Sequence, residues 1–175
     1  DLYGNTALMN AAVAGHADVV SQLLGQGATA DLEGSGGQTA LMKAAKANMG
    51  ECVTALVNGD ASLDNGDANG NTALMLAASN GHAQLVKQLL GSGASTVRRN
   101  DAGQSVMDAA KEFAGMGQLQ GGKSNQSDDA TELVAVLEAW EREREDGLGQ
   151  GLAPESTRED ATDETTPGEV VPPPL

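Results

Sequence analysis

The sequence predicts an all-α protein: a solenoid of small helix–turn–helix units, stacked side by side and joined by short hairpin loops. Three observations predict it. Residues 5–28 (NTALMNAAVAGHADVVSQLLGQGA), 38–61 (QTALMKAAKANMGECVTALVNGDA) and 71–94 (NTALMLAASNGHAQLVKQLLGSGA) are copies of one segment. Thr6, Thr39 and Thr72 are spaced 33 residues apart, and Ser105 falls 33 beyond Thr72. A fixed period of that length means units too small to bury an apolar face alone, so each needs its neighbours to make a core. Aromatics are only 2% of the 175 residues, which leaves Ala, Leu, Val and Met to fill that core.

Each element follows from its residues. Thr6, Thr39 and Thr72 are placed to N-cap a first helix, the hydroxyl accepting from a free backbone N–H. The Ala-Leu-Met run after each is made of good helix formers that let neighbours approach closely. Gly15-His16 and Gly81-His82 break the chain, Gly supplying the positive φ of a tight turn. Val19, Val20, Leu23 and Leu24 then form the stripe of a second helix buried along one face. Gly27-Ala28 closes it, and a polar connection such as Asp67-Ala68-Asn69-Gly70 leads to the next unit.

These residues resemble the ankyrin repeat family, whose pattern is D-x-x-G-x-T-P-L-H-x-A-A-x-x-G-H followed by an apolar helix ending L-L-x-x-G-A. The resemblance covers residues 1–141, with repeats at about 1–33, 34–66, 67–99 and 100–141. Ala7, Ala40 and Ala73 stand where the family prefers Pro, and Met9, Met42 and Met75 where it prefers His; the Met side chains read as core. In the second repeat Asn48-Met49-Gly50 replaces the Gly-His turn and Asp60 the closing Gly. Asn and Asp tolerate left-handed backbone, so the fold survives there at reduced stability. The fourth unit reads as a helix to about Ala114, an inserted Gly/Ser-rich loop over 115–129, and a last helix from Thr131 to Trp140. That helix carries Glu132, Glu138 and Glu141 outward as a C-terminal cap. Residues 142–175 read as a disordered, acidic, Pro-containing tail; its segment 146–175 has seven acids and one base.

A net charge of −15 opposes binding to nucleic acid or to an anionic membrane surface. No apolar run approaches the ~20 residues of a membrane span. Cys52, the single cysteine, excludes an internal disulfide and fits a reducing, cytoplasmic or nuclear, setting. The chain opens inside a motif without Met, as a fragment would. Residues 117–124 (GQLQGGKS) spell the G-x-x-x-x-G-K-[ST] phosphate loop, but no apolar strand precedes them and no helical pattern follows. They read as a Gly-rich loop, so no cofactor is expected. His16 and His82 occupy equivalent turns two repeats apart; with Cys52 alone, no zinc spacing and no nucleophilic triad arises, and no enzymatic activity is expected. The sequon at Asn125, the acid-flanked Thr157 and the terminal Pro-Pro-Pro-Leu are read as solvated chain.

The resemblance implies a protein-interaction module, a scaffold or adaptor, that binds a partner on the concave surface of hairpin tips and exposed first-helix positions. Carried over position by position, that surface comprises Tyr3, Asn5 and Val13; Gln38 and Lys46; Asn69, Asn71 and Asn80; and Gln104 and Phe113. Tyr3 and Phe113 are its aromatics and hence its expected anchors. The acidity suggests a basic partner and salt-sensitive association of a monomer or a member of a larger assembly. The alternative is the recruiting arm of a larger enzyme whose catalytic domain lies outside this chain. Fold alone does not choose between them.

Overall fold

A computed structural model describes residues 4–119 and 126–145. Among those residues it contains eight α-helices, a 3-10 turn (Ser35–Gly37) and no strand: α1 (Ala7–Val13), α2 (Ala17–Gly25), α3 (Ala40–Lys46), α4 (Gly50–Asn58), α5 (Ala73–Ser79), α6 (Ala83–Gly91), α7 (Val106–Leu119) and α8 (Gln126–Glu145). The odd-numbered helices pack in succession, α1 on α3, α3 on α5 and α5 on α7, and each even-numbered helix lies against the one before it. Gln88 of α6 ties the second layer together, its amide donating to the Gly50 carbonyl at 2.9 Å and to Thr54 Oγ1 at 2.7 Å.

The first helices start where the threonines require. Thr6, Thr39 and Thr72 Oγ1 accept from the backbone N–H of Met9, Met42 and Met75 at 3.2, 3.4 and 3.3 Å. Each satisfies an otherwise orphaned donor, an interaction worth about 1 kcal/mol. In the fourth unit Ser105 and Asp108 cap reciprocally. Asp108 Oδ2 accepts from Ser105 N at 2.9 Å while Ser105 Oγ accepts from Asp108 N at 3.3 Å. The Ser105 N–H and its hydroxyl, which donates to Asp108 Oδ2 at 2.8 Å, hold the Asp108 carboxyl below its usual range, helped by Arg99 and Lys111.

Backbone conformation repeats with the same period. The turn between paired helices is left-handed at Gly15 (φ 78°), Asn48 (φ 58°) and Gly81 (φ 75°), and the end of each second helix at Gly27 (φ 87°), Asp60 (φ 59°) and Gly93 (φ 95°). The second repeat thus keeps the geometry with residues that only tolerate it. Removing a side chain there relieves steric crowding that costs about 1–2 kcal/mol for an L-residue, less for Asn and Asp. Asn48→Gly and Asp60→Gly are each expected to stabilise the fold by about 0.5–1 kcal/mol in urea titrations. Amide exchange in the second repeat should slow toward that of the third. Unchanged midpoints would mean that these two residues already sit there without strain.

The core is small side chains packed closely. Ala12, Ala44, Ala45, Ala77 and Ala78 have no exposure, and Leu8, Leu41 and Leu74 are buried beside them. Met9, Met42 and Met75 are 1–3% exposed, so the methionines that replace the family histidine are core residues. Cys52 is buried as well. Burial, with the Glu51 carboxylate next to it, pushes its thiol above the ordinary value and keeps it protonated. Its counterpart Val19 in the first repeat is 43% exposed, whereas Leu85 in the third is 2% exposed. One edge of the stack is therefore open at α2.

The last unit departs from expectation. Helix α7 runs to Leu119 and α8 begins at Gln126, so residues 115–119 and 126–129, read as an inserted loop, are helical. Gly115 costs α7 about 1 kcal/mol relative to Ala, an amount that its packing against α8 and α5 offsets. Residues 120–125, with Lys123 and Ser124 of the phosphate-loop lookalike, lie outside the described residues. Helix α8 also extends beyond the expected Thr131–Trp140. Ala130, Leu133 and Leu137 bury its inner face, and Arg144 Nη1 donates to Thr96 Oγ1 at 3.1 Å, anchoring its end against the third repeat. Residues 142–145 thus belong to α8; residues 146–175, expected to be a disordered tail, lie outside the described residues. Glu132 does not simply face water either: it accepts from Lys87 Nζ at 2.6 Å and from Gln84 at 3.0 Å, pinning α8 onto α6.

Candidate functional site: a concavity between the first helices

The hairpins preceding the first helices form a hydrogen-bonded edge. Gly34 N donates to Gln38 O, Asp67 N to Asn71 O and Asn100 N to Gln104 O, closing each loop at 2.9–3.0 Å. Successive tips are joined by Ala68 N to Gly36 O at 2.9 Å and Asp101 N to Asn69 O at 3.0 Å. Beside this edge the C-terminal ends of α1 and α3 leave a shallow concavity of about 330 Å³, lined by Val13, Gln38, Lys43, Lys46 and Ala47. Val13 and Lys46 hold the same register on neighbouring first helices. Gln38 enters from the hairpin, and Val13 is 44% exposed.

Three of the ten expected surface residues, Val13, Gln38 and Lys46, are brought together here. Lys43 was not among them, although it lies three residues before Lys46 and so on the same helix face; that spacing was the available signal. Other expected residues are occupied in building the fold. Asn80 Nδ2 donates to the Leu76 carbonyl at 2.7 Å at the end of α5. Asn71 Oδ1 and Gln104 Oε1 both accept from Asn100 Nδ2, at 2.9 and 3.0 Å, linking two hairpins. Asn69 is exposed at a tip, its N–H held by Asp67 Oδ1 at 2.9 Å, and Asn5 is half-buried.

Phe113 is half-buried, packed on the core with its ring directly over Gly81. It joins the third repeat to the fourth, a contact that the register alone, which places it on the exposed face, could not reveal. Tyr3, the other expected aromatic, lies outside the described residues.

Charge on this face differs from that of the chain. Helices α1, α3 and α5 hold no acidic residue and two lysines, Lys43 and Lys46. The ion pairs among the described residues, Lys87–Glu132 and Arg99–Asp108, lie elsewhere. His82 Nε2 sits 3.2 Å from the Lys46 carbonyl oxygen, joining the third-repeat turn to the end of α3. No group of three or more His, Cys, Asp or Glu that could hold a metal occurs among the described residues. A second depression, about 410 Å³ between α2 and α4, is lined by residues such as Leu24, Ala55 and Asp60 and gathers no reactive set. No described helix is long and apolar enough to cross a membrane.

Threonine-capped first helices, left-handed turns in register and a hydrogen-bonded hairpin edge define a helical repeat solenoid with a side-chain-lined inner face. Residues 8–101 match the family model for ankyrin repeats, in three copies, and the chain belongs to the ankyrin repeat family. No match to a curated protein was found. Ankyrin repeats are in general modules for protein–protein interaction.

Proposed function

We propose that this chain is a scaffold or adaptor that binds a partner protein on its hairpin and first-helix surface and performs no chemistry itself. The observation that carries this reading is the concavity of Val13, Gln38, Lys43, Lys46 and Ala47. There, side chains from the ends of α1 and α3 and from the hairpin before α3, none of them filling the core, are presented together. A preference for a basic partner, suggested by total charge, finds support on α8, where Glu138, Glu141 and Glu143 are accessible, and not in the concavity. A reducing cytoplasmic or nuclear setting belongs to the same reading, with Cys52 kept as a buried thiol.

The test is affinity capture from cell lysate with the full chain and with a Val13→Glu/Gln38→Glu variant, which fills the concavity without touching the buried core. A partner retained by the parent and reduced about tenfold or more by the variant is expected. Capture that the variant leaves unchanged would move the binding surface elsewhere. The recruiting-arm alternative is favoured by the open edge at Val19, where a further folded element can stack. A partner lost on Val19→Asp but kept by the concavity variant would support it.

A further inference from the structure

The concavity presents a charge opposite to that of the whole chain. Formal net charge is −15, yet Lys43 and Lys46 stand on successive turns of α3 beside Val13 and Ala47. Neither ammonium belongs to an ion pair among the described residues. Stabilising the C-terminus of a helix is the ordinary task of such lysines. Yet α1 and α5, of the same seven-residue length, end with no basic residue in the last turn. The repeat does not demand them. Because α1 and α5 also lack acids, the positive potential of α3 is not cancelled by either flanking helix.

We propose that this concavity receives an acidic peptide segment of the partner protein. Its carboxylates would lie against Lys43 and Lys46, with an aliphatic side chain on Val13 and Ala47. The proposal rests on the reading of this face as protein-binding and adds the chemistry of what binds. At physiological ionic strength the screening length is about 8 Å, so a bound carboxylate senses the adjacent lysines more than the distant acids of α8. The excess of acids elsewhere disfavours an acidic segment over most of the remaining surface, the exposed Arg98–Arg99 pair excepted.

Fluorescence anisotropy with the full chain at physiological salt tests this. The probes are three labelled dodecapeptide pools sharing fixed leucines, their variable positions drawn from Asp/Glu/Ser, from Lys/Arg/Ser or from Gln/Ser. The acidic pool is expected to bind about tenfold or more tighter than the other two. Lys43→Glu/Lys46→Glu should abolish that preference and Lys43→Arg/Lys46→Arg should keep it, with thermal melts showing both variants folded. Equal binding of the neutral or basic pool, an acidic preference that survives charge reversal, or no binding of any pool would overturn the inference. If the peptides fail while lysate capture still yields a partner sensitive to Val13→Glu/Gln38→Glu, only the acidic chemistry is lost. If both fail, the interaction face itself is wrong.

Discussion

Replacing Leu56 by alanine is expected to cost about 2–5 kcal/mol in urea denaturation, a large part of the stability of a small repeat array. Leu56 lies in α4, fully buried, at a position held by Leu23 in the first repeat and Leu89 in the third. Leu89 is equally buried, whereas Leu23 is only half-buried, since no described helix covers α2 on its outer side. Leu89→Ala should therefore match Leu56→Ala, and Leu23→Ala should cost less than half as much. The middle substitution has a further consequence. In a stack whose stability is a sum of repeats and nearest-neighbour interfaces, weakening the second repeat uncouples the first from the rest. Leu56→Ala should thus broaden the transition and lower its m-value, while Leu89→Ala shifts the midpoint with less broadening. Equal losses at all three positions would contradict the burial gradient along the stack.

The helices were legible because three in-phase copies fix the register. Once Thr6, Thr39 and Thr72 align, every cap, turn and buried stripe aligns with them, and the tolerance of Asn48 and Asp60 for left-handed backbone follows from their residue types. The fourth unit was less legible because its information is not periodic. Gly115 and Gly117 read locally as breakers, yet α7 continues through them. The contacts that favour the longer helices, among them Arg144 to Thr96 and Glu132 to Lys87, join residues more than 40 positions apart. At the site, position in the repeat placed Val13, Gln38 and Lys46 correctly on one face but could not reveal which exposed-register side chains fold back. Asn80 and Phe113 both do, Asn80 onto the Leu76 carbonyl of its own helix and Phe113 over Gly81 of the neighbouring repeat. Total charge sums over residues far from the concavity, whose lining carries Lys43 and Lys46 and no acid.

Gly81→Ala is expected to cost about 2–5 kcal/mol, and Phe113 decides how that cost divides. Gly81 is left-handed at φ 75°, a conformation worth about 1–2 kcal/mol against any L-residue with a Cβ. A Cβ there would also fall within the ring of Phe113, adding overpacking of about 1–3 kcal/mol. Gly15 separates the two contributions. Its φ is 78°, but the nearest neighbour of its added Cβ is Met49 Sδ at 3.0 Å, on a flexible side chain that can give way. Gly15→Ala should therefore show little beyond the conformational cost. Gly81→Asn reverses the balance: asparagine, which already holds φ 58° at Asn48, tolerates the backbone but still meets the ring. Combining Gly81→Ala with Phe113→Ala removes the collision, so a double-mutant cycle should give a coupling of about 1–3 kcal/mol favouring the pair. A coupling near zero, or equal costs at Gly15 and Gly81, would show that the ring does not press on the turn. Phe113→Ala alone should then lower stability through lost packing between the third and fourth repeats. It should leave binding at the Val13–Lys46 concavity unchanged, which separates a structural aromatic from an interface anchor by experiment.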